Sequence, residues 1–208
     1  FDGLISHLEQ IIEDKENYGA TQIERDFTVE QICPECNGAR LQASSLSFKI
    51  DGKNIAEVAK ALDISMMYIS TDYVFDGEGE RPWEPDDKRA PLNVYGMAKY
   101  KGELYVEELV KKYFIVRISW VFGLHGNNFI KTMLRLGKER GAVSVVNDQI
   151  GSPTYTPDLS RLLVDMILTD KYGRYHATNE GLCSWYDFAV EIFKQVNLDV
   201  AVTPVSSD

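Results

Sequence analysis

Apolar side chains recur along this chain with two alternating periods. Leu4, Ile5, Leu8, Ile11 and Ile12 fall at helical spacing near the start, and residues 46–50 read as a short strand closed by Asp51-Gly52. Ile55, Val58, Ala59 and Leu62 share one helical face, and residues 65–70 follow as a strand. The pattern predicts a helix from about residue 95 to 111, with Glu107 and Lys111 four apart as a supporting pair. Residues 113–122, rich in Ile, Val and aromatics, predict a single strand. Helical spacing at Phe129, Met133 and Leu136 precedes a strand at 143–146. Thr156-Pro157 offers a capping hydroxyl and a first-turn proline to a helix carrying Leu159, Leu162, Leu163, Met166 and Ile167. Residues 174–178 are strand-like, and Ser184-Trp185-Tyr186-Asp187 opens a last helix with a loose capping box. This alternation predicts an α/β fold, a parallel sheet with helices on its faces.

Composition narrows the class. Apolar residues make up 44% and charged residues 26% of the 208, ordinary values for a soluble globular protein. No apolar run approaches the roughly 20 residues that span a membrane, so no membrane partner is expected. Phe1-Asp2-Gly3 carries no basic region of a signal peptide, and the expected location is cytoplasmic. Three cysteines, an odd count with one close pair, suit metal or free thiols better than a disulfide scaffold. A net charge of −10 counts against a nucleic-acid partner, which needs clustered Lys and Arg. The charge is unevenly spread: residues 1–58 hold eleven Asp/Glu against five Lys/Arg, and residues 59–208 hold twenty-one against seventeen.

Candidate chemistry sits in the second segment. Met66-Met67-Tyr68-Ile69-Ser70 ends in Thr71-Asp72, and ligands in open α/β sheets bind beyond the carboxyl ends of strands. Tyr95 and Lys99 lie four apart, which on a helix puts a phenol and an ammonium on one face. A phenol of pKa about 10 exchanges protons poorly at neutral pH. A neighbouring cation stabilises its phenolate, so Tyr95 could protonate a carbonyl oxygen that is accepting hydride while Lys99 holds a ribose hydroxyl. Taken alone, Tyr-x-x-x-Lys also fits a half-buried tyrosine beside a solvated lysine.

Its company is more specific. Ser70-Thr71-Asp72-Tyr73-Val74-Phe75-Asp76-Gly77 lies upstream, and Arg117-Ile118-Ser119-Trp120-Val121-Phe122-Gly123 downstream. Asp148-Gln149-Ile150-Gly151-Ser152-Pro153-Thr154, Gly173-Arg174-Tyr175-His176-Ala177 and Ser184-Trp185-Tyr186-Asp187-Phe188-Ala189 follow. In this order they resemble the extended short-chain dehydrogenases and, within them, the dTDP-4-dehydrorhamnose reductase family, over about residues 55–208. The resemblance implies a Rossmann-like, doubly wound parallel sheet with part of a small α/β substrate lobe. It implies reduction of dTDP-4-dehydro-L-rhamnose to dTDP-L-rhamnose with NADPH or NADH. Thr71, Tyr95 and Lys99 match the family's catalytic residues, with Tyr95 and Lys99 also at the cofactor. Thr71, Asp72 and Trp120 match its contacts to the dTDP-sugar. For Trp120 a core aromatic at a strand end is the alternative, and His176 reads as a structural histidine. Ala98 stands where the family usually has Ser or Thr.

Two departures accompany this. The family's glycine-rich turn, which presents a helix N-terminus to the cofactor pyrophosphate, has no counterpart: no Gly-x-x-Gly-x-x-Gly occurs in the sequence. NADPH binding by this chain is therefore expected to be weak or absent, with a strand edge exposed where half of the sheet is lacking; a homodimer is one arrangement that edge allows. In place of the missing half, Phe1-Asp2-Gly3-Leu4-Ile5, Cys33-Pro34-Glu35-Cys36-Asn37-Gly38 and Asp51-Gly52-Lys53-Asn54-Ile55-Ala56-Glu57-Val58 resemble an internal zinc-module stretch of the DNA-repair subunit UvrA. Cys33 and Cys36 supply two of the four ligands that a structural zinc needs, a half-site or a turn with free thiols. The expected organisation is a chimera: a zinc-module fragment at 1–57, half of a nucleotide-binding domain at 58–147, and a partial substrate lobe at 148–208. Two other readings are a non-catalytic fusion and a DNA-repair module.

Overall fold

The computed structural model describes residues 49–79 and 81–207. Cys33, Cys36 and most of the expected zinc-module segment lie outside the described residues. The first helix, α1 (Ile55–Leu62), begins at Asn54, whose side chain accepts from the Glu57 N–H while the Glu57 carboxylate accepts from the Asn54 N–H. This reciprocal cap satisfies two of the N–H groups that a helix start leaves unpaired. The expected boundary at 57/58 falls inside α1, whose Ala56 and Ala59 are buried against Val106, Val110 and Ile115. Of the face shared by Ile55, Val58, Ala59 and Leu62, Ala59 is buried, whereas Ile55 and Leu62 are 73% and 63% exposed.

Strand β1 (Met66–Thr71) runs into a one-turn 3-10 helix (Asp72–Val74), and a long loop leads to α2 (Val94–Leu109). Strand β2 (Tyr113–Ile118) is followed by β3 (Val121–Phe122), α3 (Phe129–Arg140) and β4 (Ala142–Val146). Next come β5 (Ile150–Gly151), β6 (Thr154–Tyr155), α4 (Thr156–Ile167) and β7 (Gly173–His176). The chain continues through β8 (Cys183–Ser184), α5 (Trp185–Gln195) and β9 (Ala201–Val205). The main sheet is parallel with order β1-β2-β7, and Tyr68 pairs with Ile115 and Ser70 with Arg117. Parallel strands covered on both faces are the arrangement that the α/β alternation predicts.

Strand alternation sorts the core. Met66, Tyr68, Tyr113 and Ile115 pack with α1 and α2, while Met67, Ile69, Phe114 and Val116 pack with Leu159, Leu163 and Met166 of α4. Phe114, Ile115 and Val116 have no solvent exposure, and each such side chain contributes about 1.5–3 kcal/mol on burial. A second assembly pairs β4 with β9 and packs Met133 and Val145 against Ala189, Ile192 and Phe193. Its last helix starts with the expected box, Ser184 capping and Asp187 reaching back.

Three local expectations change. The strand over 113–122 breaks between β2 and β3, where Trp120 has φ +47°. Tyr155, not Thr156, stands at the cap of α4, with no side-chain cap bond and a proline in the first turn. Helix α2 ends at Leu109, so Lys111 lies past it, and Glu107 instead accepts from Arg89 and Arg174.

That last contact belongs to a buried charge network. Arg117 donates from Nε and Nη2 to the two oxygens of Glu103 at 2.9 and 2.8 Å, and neither side chain is exposed. Arg117 Nη1 donates to the Pro85 carbonyl, and Arg89 donates to both Glu103 and Glu107. Burial pushes the Glu103 carboxyl up, but Arg117 and Arg89 hold it below the usual range; Glu107 is likewise lowered by Arg174 and Arg89 against burial. A lowered carboxyl pKa stabilises the fold above the unfolded value of about 4.3, and that stability is lost as pH falls through the folded value. Removing one partner of a buried pair costs about 3–5 kcal/mol. Arg117→Met is expected to lose stability on that scale in urea denaturation, with a shallower acid dependence below pH 5. A loss under about 1 kcal/mol would show that the pair does not hold the sheet to α2.

Candidate active site

The carboxyl end of β1 and the first turns of α2 meet at one place. Buried Thr71 caps the 3-10 turn: its Oγ1 accepts from the Tyr73 N–H at 3.3 Å and donates to Asp72 Oδ1 at 3.0 Å. Desolvation raises the Asp72 carboxyl above its ordinary value despite the hydrogen bond from Thr71. Asn93 starts α2 by accepting from the Gly96 N–H at 2.7 Å, and this places Tyr95 in the first turn. The Tyr95 ring is 54% exposed and meets Tyr73 edge-on, centroids 6.0 Å apart.

One turn later Lys99 points back to the sheet. Its Nζ donates to the Ile69 carbonyl at 2.9 Å and lies 5.0 Å from the centre of the Tyr68 ring. Burial lowers the Lys99 pKa, and Glu103 acts against that shift. Among the described residues its other ammonium hydrogens have no protein partner. Gly96 explains how closely the pieces approach, because a Cβ there would run into the Tyr73 backbone carbonyl. The geometry thus brings Thr71, Asp72, Tyr95 and Lys99 to one edge of the sheet.

Trp120 stands apart, at the β2–β3 break. A left-handed backbone is uncommon for a bulky residue and needs support from its surroundings. Trp185 supplies it, stacked at 3.6 Å between centroids and 15° between planes, and Gly151 leaves room for the indole. His176, at the exposed end of β7, lies 5.7 Å from the Phe75 ring, and partial burial lowers its pKa. A cavity of about 310 Å³ lies elsewhere, lined by Phe114, Leu162, Met166 and Tyr175, and none of the five candidate residues lines it.

Sequence reasoning missed the residues beneath this edge. Glu103 follows Lys99 by four and Tyr95 by eight, so the stripe was visible, but a carboxylate on a helix normally reads as solvated. Ser70 Oγ, at the end of β1, is buried and makes no hydrogen bond of good geometry among the described residues, although it lies near enough to Glu103 to help lower that carboxyl.

The family model described as RmlD substrate binding domain matches residues 18–208. The chain belongs to this family. The match takes in most of the segment read from its residues as zinc-module-like. Among curated relatives, the dTDP-4-dehydrorhamnose reductase of Aggregatibacter actinomycetemcomitans is 44% identical over 165 residues, 76% of this chain and 56% of that protein. The Escherichia coli K12 enzyme of the same name is 43% identical over 146 residues, 68% of this chain and 49% of its own length. The crystal structure of the Bacillus anthracis dTDP-4-dehydrorhamnose reductase in complex with NADP superposes with TM-score 0.71 at 51% identity, covering 74% of this chain and 54% of that one. The chain thus spans about half the length of the relatives it matches. The RmlD fold is shared with it, a Rossmann-like α/β sheet with parallel strands.

In this RmlD chain the approach of the 3-10 turn to α2 depends on a missing side chain. Gly96→Ala is expected to cost about 1–3 kcal/mol, read from urea denaturation, because the added methyl meets backbone that cannot rotate away. A variant as stable as the parent would mean that turn and helix do not touch.

Proposed function

We propose that this chain carries the catalytic half of a reductase that converts a dTDP-linked 4-keto-6-deoxy sugar, dTDP-4-dehydro-L-rhamnose, to dTDP-L-rhamnose. The observation that carries the reading is the convergence of Thr71, Tyr95 and Lys99 on the carboxyl edge of β1. Relatives support the substrate class: besides the rhamnose enzymes, a dTDP-4-keto-6-deoxy-D-glucose reductase of Streptomyces niveus is 40% identical over 158 residues.

The donor set fits one end of NADPH. Lys99 spends one hydrogen on Ile69 and keeps others for ribose hydroxyls, beside an exposed phenol. No residue of this chain is assigned to the pyrophosphate end, which a glycine-rich turn ordinarily holds with backbone donors. When bound, NADPH supplies the hydride that goes to the carbonyl carbon. Tyr95 Oη gives its proton to the carbonyl oxygen, which becomes the new hydroxyl. Lys99 steadies the phenolate left behind, and Thr71 Oγ1 orients the reacting oxygen. Asp72 and Trp120 flank the sugar nucleotide. General acid catalysis of this kind is typically worth about 10²–10⁴-fold.

The test sets residues 55–208 in a full-length reductase frame. With residues 1–54 replaced by the nucleotide-binding half of a close relative, and with the relative's remaining C-terminal part appended, the protein is expected to reduce the 4-keto sugar with NADPH. In it Tyr95→Phe should lower kcat by about 100-fold or more while cofactor affinity stays nearly unchanged, because only the proton donor is lost. Lys99→Ala should harm both. A Tyr95→Phe enzyme with normal turnover would make Tyr95 a packing residue and end this reading.

For residues 1–57 the resemblance to a UvrA zinc module, and with it a chimera, rests on Cys33-Pro34-Glu35-Cys36 and its flanks. Two thiolates forgo much of the roughly 10–16 kcal/mol of a full structural site. Less than one zinc per chain is expected by elemental analysis after dialysis against a chelator; one per chain would show a complete site.

A further inference from the structure

Lys99 does not lie on bare backbone, and the residue beneath it is none of the candidate catalytic groups. We infer that Tyr68 is a positioning residue for Lys99: its ring forms the seat on which the ammonium lies, and its hydroxyl reaches the main chain of the same lysine. The inference rests on the proposed role of Lys99 at the ribose and at Tyr95.

Four observations converge on this side chain. The Lys99 ammonium is 5.0 Å from the Tyr68 ring centre, within the range of a cation–π contact. The Tyr68 hydroxyl donates to the Lys99 carbonyl at 3.4 Å, a long bond that still ties the ring to the turn of α2 carrying the lysine. Gly102, three residues on, has no Cβ where one would strike the Tyr68 hydroxyl, so α2 closes directly over the ring. The Tyr68 side chain also packs against the cluster of Ala56, Ala59, Val106, Val110 and Ile115.

The chemistry suits a buried lysine. Burial disfavours the ammonium, and its nearest carboxylate, Glu103, is already engaged by Arg117 and Arg89. The face of an aromatic ring offers attraction without another charge to desolvate. Tyr68 keeps its own proton: burial first, then Glu103 and Tyr95, push its phenol up to about 12. The seat is therefore a neutral ring across the working pH range. With the Ile69 carbonyl as the second point of contact, the ammonium is held at the end of β1 instead of extending to solvent.

The test follows Lys99 alone, in the 208-residue chain without substrate or cofactor. Reductive methylation across a pH series, read residue by residue by mass spectrometry, gives the midpoint at which Lys99 becomes reactive. Tyr68→Leu should move that midpoint to lower pH by about 0.5 or more, equivalent to about 0.7 kcal/mol of lost attraction. Tyr68→Met, longer and more adaptable than leucine, should do the same if Tyr68→Leu fails to fold. Tyr68→Phe keeps the ring and should restore the parent midpoint, and Lys131 and Lys194 should not respond to any of the three. An unchanged midpoint in both Tyr68→Leu and Tyr68→Met, a shift to higher pH, or a Tyr68→Phe shift as large as theirs would overturn the inference. Because methylation needs no turnover, this outcome is separate from that of the Tyr95→Phe experiment on the reductase reading.

Discussion

The buried pair of Arg117 and Glu103 sets the position of helix α2, and the rest of the site follows from that position. Two side chains without solvent exposure carry opposite charges, and taking them out of water costs several kcal/mol per ion. Attraction alone does not offset such a cost; saturation of the hydrogen bonds does. Here the carboxylate takes two bonds from Arg117 and one from Arg89, while Arg117 spends its remaining fork on the Pro85 carbonyl. The network therefore joins three things that hydrophobic contact would leave adjustable: the rotation of α2 about its axis, the end of β2, and the long loop before α2. Tyr95, Lys99 and Glu103 succeed one another at four-residue steps, a row that drifts only slowly around a helix. Fixing Glu103 toward the sheet aims Lys99 and Tyr95 at the end of β1.

From that constraint the crowding at the site becomes intelligible. A helix held this close to the sheet has room for small residues only at its points of approach, and Gly96 and Gly102 occupy two of them, over the Tyr73 carbonyl and the Tyr68 ring. Thr71 serves two ends at once, since its hydroxyl caps the 3-10 turn and stays at the strand terminus. Asp72 and Lys99 are both shifted toward their neutral forms by burial. Desolvated polar groups collected at one edge are the condition in which small geometric changes alter proton affinity most.

Much of this was legible in the residues. The order of strands and helices followed from periodicity because each face of the sheet meets a helix, so the apolar pattern and burial agree for Phe114–Val116 and Met133. The candidate residues were legible because Tyr95 and Lys99 share a helix and Thr71 ends a strand, both short-range facts. What pattern could not supply is long-range. Arg117 reaches Glu103 across 14 positions, and Arg174 reaches Glu107 across 67, and no local period announces either partnership. On α1 the spacing tells only part of the story: Ile55 and Leu62 share a face with Ala59 yet stay exposed, and the small Ala56 and Ala59 make the contact with Val106, Val110 and Ile115. The break at Trp120 was hidden for the opposite reason, because a run rich in β-formers conceals a residue held in the left-handed region by its tertiary surroundings, the Trp185 stack among them.

Trp120 also links the two assemblies. Its left-handed backbone costs on the order of 1–3 kcal/mol and persists only where the surroundings over-determine it. Those surroundings are Trp185 at the start of α5 and, beyond it, Phe129, Phe188, Phe122 and Tyr155 in successive ring contacts of 4.5 to 5.7 Å. Every one of these rings belongs to β3, β6, α3 or α5, so the smaller assembly supplies the stack that holds an indole at the end of the main sheet. The cap of α5 is itself tied back, for Ser184 Oγ bonds both Asp187 and Asn147 beyond β4. If Trp120 flanks the sugar nucleotide as proposed, its orientation is then decided by how α5 docks and not by its own strand. Chemistry and recognition would thus rest on separate supports: an ion pair under α2 for the proton donor, and an aromatic array under α5 for the wall that faces the sugar.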